Sequence, residues 1–452
     1  MNNRLWLLIA ATVLTMSTFA ASIETDRTWY LAGEAMKVSV TDDDAMIAYA
    51  ELCDTYSLAA GVIVSLKGGV GRGVIELPSN LHSGYYVLSV YTRHKAKVAH
   101  RLVAIVNPLR KSDDDDIEWT KTTHPDSLSF PSTGEGEKID AQSSIENGQW
   151  SMVNDQWAMF NVRETEGHII KARVKNVYDG HFFTGNEIRP SISIVGKQIH
   201  YFEGKMVNDS MAVFYTYGIY GKQPLVLSAA SSTGVSLPIE IISPFATMLP
   251  KELPHLVFHY NRSEVEFRSI SMQRHQMAIA PAKHANDLWS PAVSGTQEQQ
   301  EGNYSDETAE DGVPLDYNET LFGTKPDLTY NLDEYRQFLT VREVLLEYVN
   351  CVRNRKIDGV PQLFVRKEQG AYNSSWPAKV LIDGMPVIDI ERLLNYDARR
   401  IHYINIYSGQ YTFGNGVFNG ILSFITRSGR LTNYPIERNM QYLVYEFPEP
   451  AL

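Results

Sequence analysis

The chain has 452 residues, with 53 Asp and Glu against 41 Lys and Arg, and a formal net charge of -12 at pH 7. That balance favours solubility and disfavours nucleic acid or anionic lipid as a partner. Two cysteines are too few for a disulfide framework, and length alone points to roughly three domains.

Residues 1–21 have the form of a cleavable export signal: Arg4, the apolar run Leu5 to Leu14, then the small residues Ala20, Ala21 and Ser22 around a cleavage point. The apolar run is shorter than the roughly 20 residues that span a bilayer. No cysteine stands nearby to carry a lipid, and no second long apolar stretch follows. The exported chain is therefore expected to have no integral membrane span. An oxidising compartment would let Cys53 and Cys351 bridge, but the plainer reading is two buried thiols in separate domains.

Residues 22–107 read as a first β-domain. Met36, Val38 and Val40 alternate with polar positions, and Val62 to Leu66 and Tyr86 to Tyr91 are further strand candidates. The run Gly68-Gly69-Val70-Gly71-Arg72-Gly73 has the glycine density of a phosphate loop. The strand-like Val74 to Leu77 follows it in place of a helix N-terminus, so a glycine-rich hairpin turn is expected. Asp26-Arg27, Tyr30 to Glu34 and Ser83-Gly84-Tyr85 resemble the opening domain of the alpha-2-macroglobulin family. The resemblance implies an immunoglobulin-like sandwich. The family's protease-trapping thioester sequence, Gly-Cys-Gly-Glu-Gln, does not occur here, which removes covalent protease capture.

Residues 108–148 form an acidic linker; the block Asp113 to Asp116 is a solvated charge run rather than a calcium loop, whose ligands are spaced around a tight turn. Residues 149–280 form a second β-sandwich. Ile170, Ala172 and Val174 alternate with Lys171, Arg173 and Lys175, the pattern of a half-buried strand. Leu256 to Phe267 reads as a strand pair. His255 and His259 share a face there, but no third ligand stands near, and metal binding is not expected. Residues 281–330 are polar and acidic and read as a disordered linker.

Residues 331–430 open on a capping box, Thr340 to Glu343, followed by Val341, Val344, Leu345, Tyr348, Val349 and Val352 at helical spacing. Asp383-Gly384 between apolar runs predicts a type I′ hairpin. Asp389 to Leu394 fits a helical turn, and a glycine-rich loop separates the strand around Ile401 to Tyr407 from that around Asn419 to Thr426. The words Ile382-Asp383-Gly384-Met385-Pro386, Ile401 to Gly409 and Asn419 to Thr426 resemble the plug domain of TonB-dependent outer-membrane receptors. The domain order is similar to exported Bacteroidota proteins that join macroglobulin-like domains to such a plug. A receptor would continue into a barrel of at least eight strands of about ten residues. The C-terminal tail, residues 431–452, could supply two at best, and Pro435, Pro448 and Pro450 weaken even those.

The expected fold class is thus multi-domain and mainly β, with two immunoglobulin-like or macroglobulin-like sandwiches followed by an α/β plug-like domain. No Gly-x-Ser-x-Gly elbow, His-Glu-x-x-His helix or Cys-x-x-Cys pair occurs. No catalytic, cofactor-binding or metal residue is assigned, and no enzyme activity is expected. His402 beside Ile404 and Ile406 reads as a satisfied, partly buried histidine. Tyr403 and Tyr407 read as packing residues, while Tyr411, Phe413 and Phe418 around the glycine loop are the candidate partner-binding residues. The leading expectation is protein–protein interaction at the outer membrane, with the plug-like domain docking to or occluding an outer-membrane protein or receptor complex. A periplasmic or surface module that binds carbohydrate or peptide is the alternative, and an architectural spacer the third.

Overall fold

The computed structural model describes residues 22–107, 116–120, 150–152, 164, 167–272 and 324–450, less 43, 44, 94, 197, 198, 255, 262, 264, 271, 358, 367–375, 414, 415, 430, 432 and 433. The leader expected over residues 1–21 and His255 of the histidine pair lie outside the described residues. The chain is multi-domain and mainly β.

In the first sandwich one sheet has the order Ser22–Thr25, Ala35–Thr41, Val70–Glu76. The other runs Trp29–Leu31, Lys95–Val106, Gly84–Thr92, Ile47–Cys53, Leu58–Ser65. Period-two alternation sends Met36, Val38 and Val40 inward from the first and Tyr86, Leu88 and Val90 from the second, and all six are buried. Gly68 and Gly69 turn with positive φ, at 59° and 80°. A Cβ on Gly71 would lie 2.4 Å from the Ser65 carbonyl oxygen, so this glycine lets the chain cross closely from one sheet to the other.

The second sandwich pairs the sheet Lys205–Met206, Met211–Thr216, His168–Val174, Ile239–Ile242 with the sheet His200–Glu203, Ile188–Ile194, Gly221–Ser231, Ser236–Leu237. Gln441–Phe447 joins the latter, antiparallel to Gly221–Ser231 from Gly221↔Phe447 to Leu227↔Gln441. A stretch read as tail thus supplies a strand to a sandwich more than two hundred residues upstream. Pro435, Pro448 and Pro450 flank that strand instead of interrupting it. Two further segments differ from the sequence reading. Asp116–Thr120, inside the expected linker, runs parallel to Val257–Asn261. Beyond that strand residues 265–270 are helical, where a second strand was expected; Val265 and Ser269 are buried one helical turn apart.

The C-terminal domain has a five-stranded sheet ordered Leu328–Asn331, Ile401–Phe413, Gly416–Thr426, Lys379–Ile382, Met385–Pro386. A separate ribbon pairs Val352–Ile357 with Val360–Val365. The capping box forms as the sequence predicts, the Glu343 N–H donating to the Thr340 hydroxyl. That helix, Val341–Glu347, ends sooner than the apolar spacing suggests, because Val352 already belongs to the ribbon. Asp383 and Gly384 have φ of 46° and 88°, the signs that a type I′ turn demands. Ile404, Ile406, Leu422 and Phe424 face the helices Val341–Glu347 and Ile390–Leu394. The alternate residues Tyr407, Phe418, Ile421 and Ile425 face Ile199 and Tyr201 of the second sandwich. Both faces of the sheet's central strands are thus covered along Ile404 to Tyr407 and Ile421 to Ile425, where even the polar Asn405 and Ser423 are buried.

Candidate functional site

The three candidate partner-binding residues do not form one exposed surface. Phe418 is buried, and its ring meets Tyr201 edge to face at 5.9 Å. It is a packing residue: what sequence presents as a loop aromatic is an inward-facing strand residue covered by this chain's own second sandwich. Tyr411 is half-buried beside Tyr407, and its hydroxyl donates to Asp327 Oδ2 at 3.4 Å. Phe413 pairs with Gly416 at the strand tip, and its side chain lies outside the described residues. Tyr407 is buried and Tyr403 half-buried, in line with packing roles.

The turn at Asp383-Gly384 is where the C-terminal domain locks onto its neighbour. The Gly196 N–H donates to the Asp383 carbonyl at 3.2 Å, and a Cβ on Gly384 would come within 2.6 Å of Ile199 Cγ2. The Asp383 carboxylate is buried; it accepts the Thr426 and Leu431 N–H groups, each at 2.7 Å, and the Thr426 hydroxyl at 2.5 Å. Burial raises this carboxyl to about 6 against the pull of those donors. Glu437 acts nearby on the strap that leads to the last strand, accepting the Ile388 and Asp389 N–H groups at 3.0 and 2.8 Å.

A second convergence ties the two sandwiches to the C-terminal strand. Tyr49 and Arg93 come from the first sandwich, Glu164 and His168 from the second, and Tyr445 from the last strand; all five are buried. The Tyr49 hydroxyl donates to Glu164 Oε1 at 2.6 Å, and Arg93 donates to the same oxygen at 3.1 Å and to the Ile169 carbonyl at 2.7 Å. His168 has Nε2 2.6 Å from the Tyr445 hydroxyl and Nδ1 3.2 Å from that of Tyr49. Burial pushes the Glu164 carboxyl up, but Arg93 and the bonds from His168 and Tyr49 outweigh it and hold it below its ordinary range. Burial lowers His168 despite the opposing carboxylate. Lys171, which alternation placed outward, is buried and lowered to about 8 by that burial, then by Arg93 of the first sandwich. Beside this group Glu51 accepts the Thr247 and Met248 N–H groups and the Tyr91 hydroxyl, at 3.0, 2.7 and 3.1 Å. Sequence reasoning missed these residues, although one signal was present: Glu51 lies in an otherwise apolar strand, Ile47–Cys53, with every residue buried.

The remaining candidates are dispersed. Among the described residues no three His, Cys, Asp or Glu side chains are grouped so as to hold a metal ion. Cys53 and Cys351 are free thiols in different domains. His402 is half-buried with Nε2 3.1 Å from Asp333, which Arg427 also pairs. A shallow cleft on the helix side of the C-terminal domain is lined by Tyr335, Phe338, Tyr348, Arg336, Arg399 and Arg427, among others. No helix among the described residues is long and apolar enough to cross a membrane.

No protein-family model matches the chain, and no curated protein does. Among solved structures it is similar to a biofilm-associated protein domain at 10% identity, covering 49% of this chain and 29% of that one, with a TM-score of 0.16. Trypsin-activated alpha-2-macroglobulin from Escherichia coli matches at 9% identity over 50% of this chain and 16% of that one, TM-score 0.18. A tandem of titin immunoglobulin domains matches at 9% identity over 50% and 95%, TM-score 0.13. The chain thus spans less than a third of the length of the first two. At such scores these likenesses carry no argument, and the sandwich assignment stands on the sheets themselves.

Proposed function

We propose that the chain is a non-catalytic protein of the cell envelope that works by holding a partner protein, with its C-terminal domain docking to a separate outer-membrane protein. The observation that carries this reading is what is left outward on that domain. One sheet face and the Asp383-Gly384 turn are occupied by the second sandwich, which argues for docking by the opposite, helix-bearing side rather than for insertion of the domain into a barrel as a lone plug. On that side Leu339 and Leu346 are 65% and 75% exposed at the two ends of the helix Val341–Glu347, beside the aromatic cleft. Buried apolar anchors in a polar setting are what protein interfaces use. The export signal and the plug-like words support an outer-membrane location.

Crosslinking of the protein in intact native cells, followed by identification of its neighbours, tests the reading. Leu339→Asp with Leu346→Asp is expected to abolish the crosslink to an outer-membrane protein while leaving the melting temperature unchanged. Recovery of no outer-membrane neighbour, or of the same neighbour with the double variant, refutes docking by this side. A carbohydrate- or peptide-binding role is the second reading, favoured by the exposed Tyr215, Tyr217 and Tyr220 of the second sandwich. A glycan array decides it, since binding there should vanish on substituting those tyrosines with serine.

A further inference from the structure

The ribbon of the C-terminal domain has a chemistry unlike the rest of the molecule. Its strands, Val352–Ile357 and Val360–Val365, pair as far as Ile357 opposite Val360, and Gly359 at the tip has φ 84°. Residues 351–368 carry five Lys and Arg and only two acids, in a chain of net charge -12. Arg353 and Lys356 are exposed on the stem, and the Arg355 guanidinium lies over the Phe364 ring at 5.3 Å. At the tip the cross-strand pair Ile357 and Val360 is 44% and 38% exposed. The chain returns past the ribbon where the Ala378 N–H donates to the Leu363 carbonyl at 2.8 Å, and two residues earlier Trp376 is 63% exposed.

Each feature alone is unremarked on a protein surface, where single exposed apolar residues are normal. Together they match what a bilayer interface favours. Cations on the stem meet headgroup phosphates, an apolar tip enters the boundary with the acyl chains, and an indole settles at headgroup depth. The net acidity of the molecule does not forbid this, because charges more than about 8 Å away are screened at physiological salt. Nucleic acid would gain from the cations but not from the aliphatic tip. We propose that the ribbon Val352–Val365, with Trp376, is a peripheral membrane contact that takes the headgroups of anionic phospholipid. It stands independently of the protein docking proposed above.

Flotation of the full chain with vesicles of phosphatidylcholine, with and without phosphatidylglycerol, tests it. Binding is expected only with the anionic lipid and is expected to weaken as salt rises. Each cation contributes about fivefold, so Arg353→Ser, Arg355→Ser and Lys356→Ser combined should lower partitioning about a hundredfold. Wild type and variant share the same N-terminal apolar run, so their difference reports the ribbon alone. Should the triple variant melt below the wild type, Ile357→Asn with Val360→Asn keeps the charges and is expected to weaken flotation on its own. Equal flotation with neutral vesicles, no flotation with anionic ones, or a triple variant that folds and partitions like the wild type overturns the proposal. So does displacement by inorganic phosphate or duplex DNA beyond the effect of matched ionic strength.

Discussion

Toward the first sandwich, the second sandwich presents Glu164 and His168 to Tyr49 and Arg93; toward the C-terminal sheet it presents Ile199 and Tyr201 to Leu381, Tyr407, Phe418 and Ile425. Both seams are buried, yet they hold by different means. The apolar one gains free energy in proportion to the area removed from water and is tolerant of small slips. The polar one gains little net energy, since desolvating Arg93 and Glu164 offsets most of their attraction. What it supplies is geometry, because the hydrogen bonds that Tyr49 and Arg93 donate to Glu164, at 2.6 and 3.1 Å, admit one position of the first sandwich. One seam holds the domains together, and the other fixes where they sit.

Four measurements can break or sharpen that contrast. Glu164→Gln leaves Arg93 buried without its carboxylate and should cost about 3–5 kcal/mol; Phe418→Ala should cost a similar amount through its cavity. Urea unfolding of the full chain at two pH values separates them, because only the apolar seam should answer identically at both. A smaller loss, about 1–3 kcal/mol, is expected for Gly384→Ala, where a left-handed backbone and the 2.6 Å approach to Ile199 both resist a Cβ. If Gly384→Ala melts with the wild type, the turn is not seated in the second sandwich.

The third measurement is the pH dependence itself. His168 is lowered in the fold, so its contribution is complete above its ordinary value of about 6.5 and is lost as pH falls below that. Glu164 is also lowered, and its contribution is lost at still lower pH, as the carboxylate protonates. Both signs agree: the polar seam should weaken progressively below about pH 6.5, by up to about 1.4 kcal/mol per pH unit for one proton. Asp383, raised to about 6, works the other way and favours the fold as pH falls from about 6 toward 4. A stability profile that stays flat from pH 7 to 5 in the wild type and is unaltered by His168→Phe would remove the histidine from the seam. The smallest effect is expected for Tyr445→Phe, about 1 kcal/mol for one hydrogen bond, read as a shift of the denaturation midpoint.

The features legible in the sequence are those whose determinants lie within a few residues. Thr340 and Glu343 specify their own cap, and Asp383-Gly384 its own turn. Alternation likewise shows which positions of Ile401 to Tyr407 and Asn419 to Thr426 turn inward. It cannot show what covers them: Lys171 and Phe418 were misplaced because their environment comes from other domains. The His168 to Tyr445 contact joins residues 277 apart, and no local propensity encodes that. The last strand was hidden for the same reason, its flanking prolines reading as an unstructured end.

That strand also sets a clock. Gly221–Ser231 leaves the ribosome well before Gln441–Phe447, its partner along one edge; at typical elongation rates of 5–20 residues per second the gap is about 10–40 s. Until that strand docks, the second sandwich has an unpaired strand edge above a core that lacks Tyr445 and Phe447. The second sandwich is thus completed by the element synthesised last among those that build it, and a copy still lacking that element presents the open edge. A synthetic peptide of residues 441–447 present during refolding of a chain cut after residue 440 should raise the folded yield, and should do nothing for the full chain once its own strand has docked.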